Sequence, residues 1–267
     1  LFFRLVRHFD DRVNLHVRRR KLDHPGNCRK RGLVASKNQV PGNRHAAGTG
    51  AEKSGTVARL GIETEFRTRH PLAAEIIAAT EAAGGDAVET TPDILTKMSG
   101  KDNPQMLLGA YRQPATSLEA VDRSKAPLWI VAQALRDPGN IGTILRTGDA
   151  AGAGGLILID DSADPFSVEA VRASMGALFT QDIATARWEE FLPWLRSGEG
   201  QLVGTSLKAT HDYLEAEYRQ PTFLLIGNEQ QGLPSDYEAE CDLLVKIPMA
   251  GRADSLNAAG FRTPSEI

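Results

Sequence analysis

Between Thr222 and Ala259 the chain reads TFLLIGNEQQGLPSDYEAECDLLVKIPMAGRADSLNAA, and this stretch restricts the fold more than any other. Thr222–Ile226 is a short apolar run and is predicted to be a buried strand. It breaks at Gly227, and Asn228 to Gly232 form a polar loop closed by Leu233 and Pro234. A short helical turn is expected near Ser235–Glu240, and a second buried strand over Leu243–Ile247. Pro248 ends that strand, because proline cannot donate to a ladder. Met249, Ala250 and Gly251 lead through a polar turn to Ser255, Leu256 and Asn257 at the start of a helix. Open α/β sheets build their ligand clefts from such loops, outside the carboxyl ends of the strands. On spacing alone, an ordinary pair of strands with solvated loops explains the pattern equally well.

Upstream the same alternation continues. LWIVAQ (Leu128–Gln133) is apolar and β-branched, Asp137-Pro138-Gly139 is a turn, and Asn140 is placed as the N-cap of the next helix. In that helix Ile141, Ile144 and Leu145 form the buried stripe, while Thr143, Arg146 and Thr147 share the other face. The strand GLILID, the helix PFSVEAVRASMGAL, the strand-like FTQDIA, a helix over Trp188–Leu195 and the strand QLVGTS follow. The expected class is α/β, with a mostly parallel sheet covered by helices on both faces.

Before Leu128 the chain is less regular. Residues 1–65 are expected to be a poorly ordered basic region, because Pro25 to Gly61 shows no sustained period. Residues 66–112 are predicted as a small α/β domain seen in part. Its helix LAAEIIAATEAA carries a stripe of Leu72, Ile76, Ile77 and Thr80, and DAVETT, PDILTKMSG and MLLGAY follow as strand, helix and strand. Residues 113–127 are polar, bounded by prolines, and are assigned as a linker. Residues 128–267 form the second domain.

Charge is divided unevenly. Residues 1–60 hold 14 Lys and Arg against 4 Asp and Glu, which leaves 17 against 30 elsewhere from the totals of 31 and 34. A basic arm on an acidic body suits contact with nucleic acid, and an unstructured basic tail accounts for it equally simply. No run of eighteen apolar residues is present, so no membrane span is expected. The two cysteines, Cys28 and Cys241, do not make a disulfide framework and point to a reducing, cytoplasmic setting. His24 and Cys28 lack further partners at ligand spacing, so no metal site is expected. Gly152, Gly154 and Gly155 end a helix and precede a strand, the reverse of the dinucleotide-binding order. The nucleophile elbow G-x-S-x-G is absent.

DPGNIGTILRTGDAAGAGGLIL (Asp137–Leu158), IGNEQQGL and IPMAGRADSLN occur in that order. Together they resemble the three signature motifs of the SpoU (TrmH-like) branch of the SPOUT RNA methyltransferases. The resemblance implies a knotted methyltransferase domain and methyl transfer from S-adenosyl-L-methionine to a ribose 2′-hydroxyl of structured RNA. It also implies ribosomal RNA in preference to tRNA, and a homodimer. Carried over by position, Arg146 is the essential arginine, which acts by electrostatic activation because guanidinium stays protonated. Asn140 positions it, Glu229 orients the arginine or the cofactor amine, and Ser255 and Asn257 are the third motif's polar pair. Thr205, Gly227, Ile247, Met249 and Leu256 are the implied cofactor contacts. Without the resemblance, Arg146 is an exposed ion-pair partner, Asn140 and Ser255 are helix caps, and Glu229 is a solvated loop carboxylate. The resemblance covers about Arg69 to Ala259. GFRTPSEI departs from the long apolar helix that closes the family's knot, so the second domain is expected to be cut short. An inactive RNA-binding remnant is the alternative that this departure raises.

Overall fold

Short apolar runs set the strands of this protein, and two of them, Gly155–Ile159 and Thr222–Ile226, are stopped by Asp160 and Gly227. The computed structural model describes residues 2–6, 57–63, 67 and 69–248, and of 2–6 and 57–59 the backbone alone. The chain divides into two units, Leu1–Pro114 and Ala115–Ile267.

The first unit contains β1 (Phe2–Val6), β2 (Val57–Glu63), α1 (Ala73–Ala82), β3 (Asp86–Thr90), α2 (Pro92–Ser99) and β4 (Leu107–Arg112). Its sheet order is β1-β4-β2-β3, with β2 antiparallel to β4 and the other pairs parallel. Both β1 and β2 fall inside residues 1–65, where no regular structure is expected from the sequence. The expectation fails there because these strands pair with β3 and β4, far along the chain, and local periodicity carries no trace of such partners. Along β2, Leu60 and Ile62 point to one face and cluster with Ala73 and Leu107. Leu95 and Leu108 form a separate cluster, so α1 and α2 cover opposite faces. The buried stripe of α1 is Ala73, Ile76, Ile77 and Thr80, a true i, i+3, i+4, i+7 series. Leu72 precedes the first helical turn and is 42% exposed, which corrects its place in the predicted stripe.

The second unit runs β5 (Leu128–Gln133), α3 (Pro138–Ala150), β6 (Gly155–Ile159), α4 (Val168–Ala173), β7 (Asp182–Ala186), α5 (Trp188–Arg196), β8 (Gln201–Thr205), β9 (His211–Asp212), β10 (Thr222–Ile226), α6 (Ser235–Ala239) and β11 (Leu243–Lys246). The sheet order is β7-β6-β5-β10-β8-β11-β9, and every pair is parallel. From β5 the chain moves outward through β6 to β7, whereas β8, β10 and β11 lie on the other side. The reversal therefore falls between β5 and β10.

Parallel strands covered on both faces are apolar along their length. Trp129, Val131, Ile157, Ile159, Phe223 and Leu225 pack with Phe191 and Leu195 of α5. Trp129 stacks on Phe223 with ring centroids 6.4 Å apart, and Trp194 meets Phe223 edge-on at 5.8 Å. Helix α3 buries Ile141, Ile144 and Leu145, as its pattern requires. Helix α4 is shorter than its pattern suggests. Ser167 caps it by accepting from the Ala170 N–H, and left-handed Met175 and Gly176 follow its end. Phe179, the first residue of the FTQDIA segment, closes a 3-10 turn over Ala177–Phe179, and the strand starts only at Asp182.

The segment 113–127, predicted as a polar linker, belongs from Ala115 onward to the second unit. Leu118 joins the core. The Arg123 guanidinium lies 3.8 Å over the Trp194 ring and donates to the Trp194, Leu195 and Glu199 carbonyls. Polarity misleads here because the cation satisfies free carbonyls at the end of α5 and shields an aromatic face.

Gly142 marks the closest approach of α3 and α4. A Cβ there would sit 2.3 Å from the Ala170 carbonyl oxygen and 2.8 Å from the Ser174 nitrogen. Alanine favours a helix by about 1 kcal/mol over glycine, but overpacking against backbone costs about 1–3 kcal/mol. Gly142→Ala is therefore expected to lower stability, read as a fall in the urea midpoint; an unchanged or raised midpoint refutes this packing account.

Candidate active site

Three loops leave the carboxyl ends of β10, β8 and β11, which are neighbours in the sheet. Leu225 pairs with Gly204, and Val245 pairs with Thr205. This register puts Thr205, Gly227 and Ile247 at one rim. The Thr205 hydroxyl donates to the Leu225 carbonyl at 3.3 Å, and the Ser206 N–H donates to the Val245 carbonyl at 3.0 Å.

The loop after β10 is tightly folded. A Cβ on Gly227 would lie 2.3 Å from the Gly232 carbonyl carbon and 2.4 Å from the Leu233 nitrogen, so only glycine fits. Gly232 has φ +68, and its N–H donates to the Asn228 carbonyl at 2.9 Å. The Asn228 side-chain oxygen accepts from the Gln230 N–H at 2.9 Å, and its Nδ2 donates to the Ala134 carbonyl at 2.9 Å. The last bond ties the loop to the end of β5. Leu233 is buried and anchors the far side.

Asn140 and Glu229 meet across the reversal. Asn140 Nδ2 donates to Glu229 Oε1 at 2.6 Å, a short, charge-assisted bond between α3 and the β10 loop. Asn140 is not the N-cap that its sequence context suggests. Asp137 takes that position, accepting from the Gly139 N–H at 2.6 Å and the Asn140 N–H at 3.3 Å, with Pro138 as the first helical residue. The Asp-Pro pair carries the stronger cap signal, since proline suits the first helical position. Being released from capping leaves the Asn140 amide free to reach Glu229.

Arg146 lies six residues beyond Asn140, about 9 Å further along the helix axis. It is exposed. Among the described residues it makes no hydrogen bond or ion pair, so it stands apart from the Asn140–Glu229 pair. Ser255, Asn257, Met249 and Leu256 lie outside the described residues. No three His, Cys, Asp or Glu side chains gather in a metal-binding group among the described residues.

Sequence reasoning missed an open groove of about 650 Å³ between α3 and α4. Asp137, Gly139, Asn140 and Thr143 line one wall, and Val168, Glu169 and Arg172 the other. Thr205, Gly227 and Ile247 do not line it, so rim and groove are separate features, connected through Asn140, which lines the groove and bonds Glu229 of the β10 loop. Because α4 has no polar motif, nothing in its sequence points to this wall.

A central reversal in a parallel sheet, with polar loops meeting across it, defines a doubly wound α/β protein with its ligand cleft at the strand ends. Residues 127–260 match the SpoU rRNA Methylase family, and the chain belongs to it. The chain is 35% identical over 185 residues to a 23S rRNA (uridine(2479)-2′-O)-methyltransferase of Streptomyces viridochromogenes, covering 67% of this chain and 64% of that protein. It is 30% identical over 203 residues to the 23S rRNA (guanosine-2′-O-)-methyltransferase RlmB of Ralstonia nicotianae, covering 74% and 82% respectively. The AdoMet-bound rRNA methyltransferase from Sinorhizobium meliloti superposes with a TM-score of 0.70 at 39% identity, over 77% of this chain and 76% of the other. The mostly parallel sheet with its helices is thus the SpoU methyltransferase fold.

Beside the rim, Glu238 of α6 accepts from the Ser206 hydroxyl at 2.5 Å and from Lys208 Nζ at 3.1 Å. The Ser206 bond, with a smaller contribution from Lys208, holds its carboxyl below the usual carboxylate range. A depressed carboxylate stabilises the fold above its ordinary pKa and loses that contribution as pH falls through the lowered value. Glu238→Gln should therefore destabilise the protein at pH 7, with a deficit that shrinks as pH falls through the lowered value, as read by urea midpoints. A deficit that stays constant with pH removes the charge-based account.

Proposed function

We propose that this chain transfers the methyl group of S-adenosyl-L-methionine to a ribose 2′-hydroxyl of RNA, with ribosomal RNA as the substrate. The observation that carries the reading is the Asn140–Glu229 bond across the sheet reversal, adjacent to a rim holding Thr205, Gly227 and Ile247. The family and the printed activities of its relatives support the same reaction. A nucleoside attached to an amino acid needs strand-end backbone groups for its polar edges and apolar contact for its ring. The rim supplies strand-end backbone, the Thr205 hydroxyl and the Ile247 side chain, so its residues fit the cofactor. Met249 and Leu256 complete the cofactor set in this reading.

When bound, the cofactor supplies a methyl carbon that is already electrophilic, so the protein's work is alignment and activation of the attacking oxygen. The Arg146 guanidinium stabilises negative charge developing on that oxygen. The Asn140–Glu229 bond couples the helix that carries Arg146 to the loop that carries Gly227. Ser255 and Asn257 supply the remaining polar groups. The first unit grips structured RNA, and the enzyme works as a homodimer in the cytoplasm. Among the described residues no helix is long and apolar enough to cross a membrane.

The test is methyl transfer from labelled S-adenosylmethionine to ribosomal RNA, with the site mapped as an alkali-resistant linkage. Arg146→Ala is expected to reduce transfer about a hundred- to a thousandfold, in line with loss of a preorganised charge, while the calorimetric cofactor Kd moves less than about threefold. Retained transfer removes Arg146 from its role. Folded parent protein that binds no cofactor overturns the reading as a whole and leaves an RNA-binding remnant.

A further inference from the structure

Asp160 is the first residue after β6 and has φ +59, a left-handed conformation that aspartate tolerates better than most residues. Its carboxylate collects donors from three elements. Oδ1 accepts from the Trp188 N–H at 3.0 Å, at the start of α5. Oδ2 accepts from the Tyr237 hydroxyl of α6 at 2.9 Å and from Gln133 Nε2 at the end of β5 at 3.3 Å. Tyr237 also stacks on Trp188, with ring centroids 3.8 Å apart and planes within 9°. Burial, followed by the bond to Asp160, raises the Tyr237 phenol above its ordinary pKa, so the hydroxyl is a donor throughout the working range.

This cluster sits where the Glu229 loop ends. Tyr237 follows the loop by one helical turn, and its N–H donates to the Pro234 carbonyl at 3.1 Å. Leu233, Trp188 and Tyr237 belong to one apolar cluster. The other end of the loop is held by Asn228 on Ala134, whose own N–H donates to the Ile159 carbonyl at 3.0 Å, next to Asp160. Both anchors of the loop therefore converge on the ends of β5 and β6. Neither Asp160 nor Tyr237 lies in the Asn140–Glu229 pair, at the rim or in the groove.

We propose that Asp160 and Tyr237 form a clamp that positions the Glu229 loop for methyl transfer. They are positioning residues: the carboxylate fixes α6, α6 fixes the loop's end, and the loop sets Glu229 against Asn140. The proposal rests on the reading of this loop as part of the methyltransferase site.

Tyr237→Phe removes one hydrogen bond and keeps the stack. Turnover should fall about tenfold or more, with cofactor Kd and thermal midpoint nearly unchanged. In a Glu229→Gln background the same substitution should add little, because the group to be positioned is already gone. Asp160→Asn keeps the left-handed preference but sets an amide donor where one carboxylate oxygen accepts, so its turnover should fall about as far as that of Tyr237→Phe, and Asp160→Ala should fall at least as far. Hydrogen exchange gives a readout independent of catalysis. The Gln230 and Gly232 amides, both bonded within the loop, should exchange at least tenfold faster in Tyr237→Phe, and in Asp160→Ala where that protein folds. Unchanged exchange overturns the clamp even if the parent shows no transfer. Multiplicative losses with Glu229→Gln, or full turnover in Tyr237→Phe, overturn its role in the reaction. Parent protein that shows faster loop exchange on substitution yet never transfers methyl refutes the functional reading and leaves the clamp standing as loop architecture.

Discussion

Insertion of β10 between β5 and β8 is the constraint on which the second unit depends. In a parallel sheet all strand carboxyl ends lie on one side, and loops that leave two neighbours in opposite directions open a crevice between them. Thr222 to Ile226 pair with Leu128 to Ala132 on one side, and Thr222 to Leu225 with Gln201 to Gly204 on the other. Shifting β10 by one residue would turn Phe223 and Leu225 out of the core and take Gly227 off the rim. The Trp129–Phe223 stack in the core and the site at the sheet's edge are thus set by one register.

Close backbone approach then brings the polar groups together. Gly142 lets α3 settle against α4, which fixes the direction of α3 and hence the position of Asn140. Gly227 lets the β10 loop fold back on itself, which turns Glu229 toward α3. In both places a methyl group would collide with backbone, an obstacle that no change of rotamer can relieve. The Asn140–Glu229 bond itself is exposed at Glu229, so its energy is modest. Its value lies in orientation: it joins helix α3 to the β10 loop, both of which are already positioned by burial.

Legibility followed the range of the interactions. Strands β5, β6, β8, β10 and β11 and the Ile141, Ile144, Leu145 stripe are local patterns of burial, and they stand where the sequence puts them, whereas β7 starts only at Asp182 and β9 lies in a segment that reads as merely polar. Thr205, Gly227 and Ile247 share a rim because adjacent strands end there. Residues that depend on distant partners were hidden. The strands β1 and β2 find their neighbours beyond residue 85. Arg123 reads as a linker charge until Trp194 is placed beneath it. Asn140 reads as a cap because Asp137, three residues earlier, reads as part of a turn. The groove wall on α4 has no sequence signature at all.

Two non-glycine residues with left-handed backbone, Ala134 and Asp160, sit at the ends of adjacent strands β5 and β6. Such conformations cost about 1 kcal/mol or more for an alanine, which has no side-chain bond to compensate. Glycine at position 134 would relieve this, so something must hold alanine in place. Its N–H is bonded to Ile159 and its carbonyl to Asn228, and both bonds require the chain to turn sharply at that point. Asp160 is held in the same way, with its N–H on the Ala186 carbonyl and its carboxylate shared by Trp188, Tyr237 and Gln133. The strained pair is therefore over-determined by bonds that reach both anchors of the Glu229 loop. A relaxed turn at either residue would release an anchor. The strain at these two residues is the local consequence of placing that loop over the crevice, and for that reason it falls at the ends of β5 and β6.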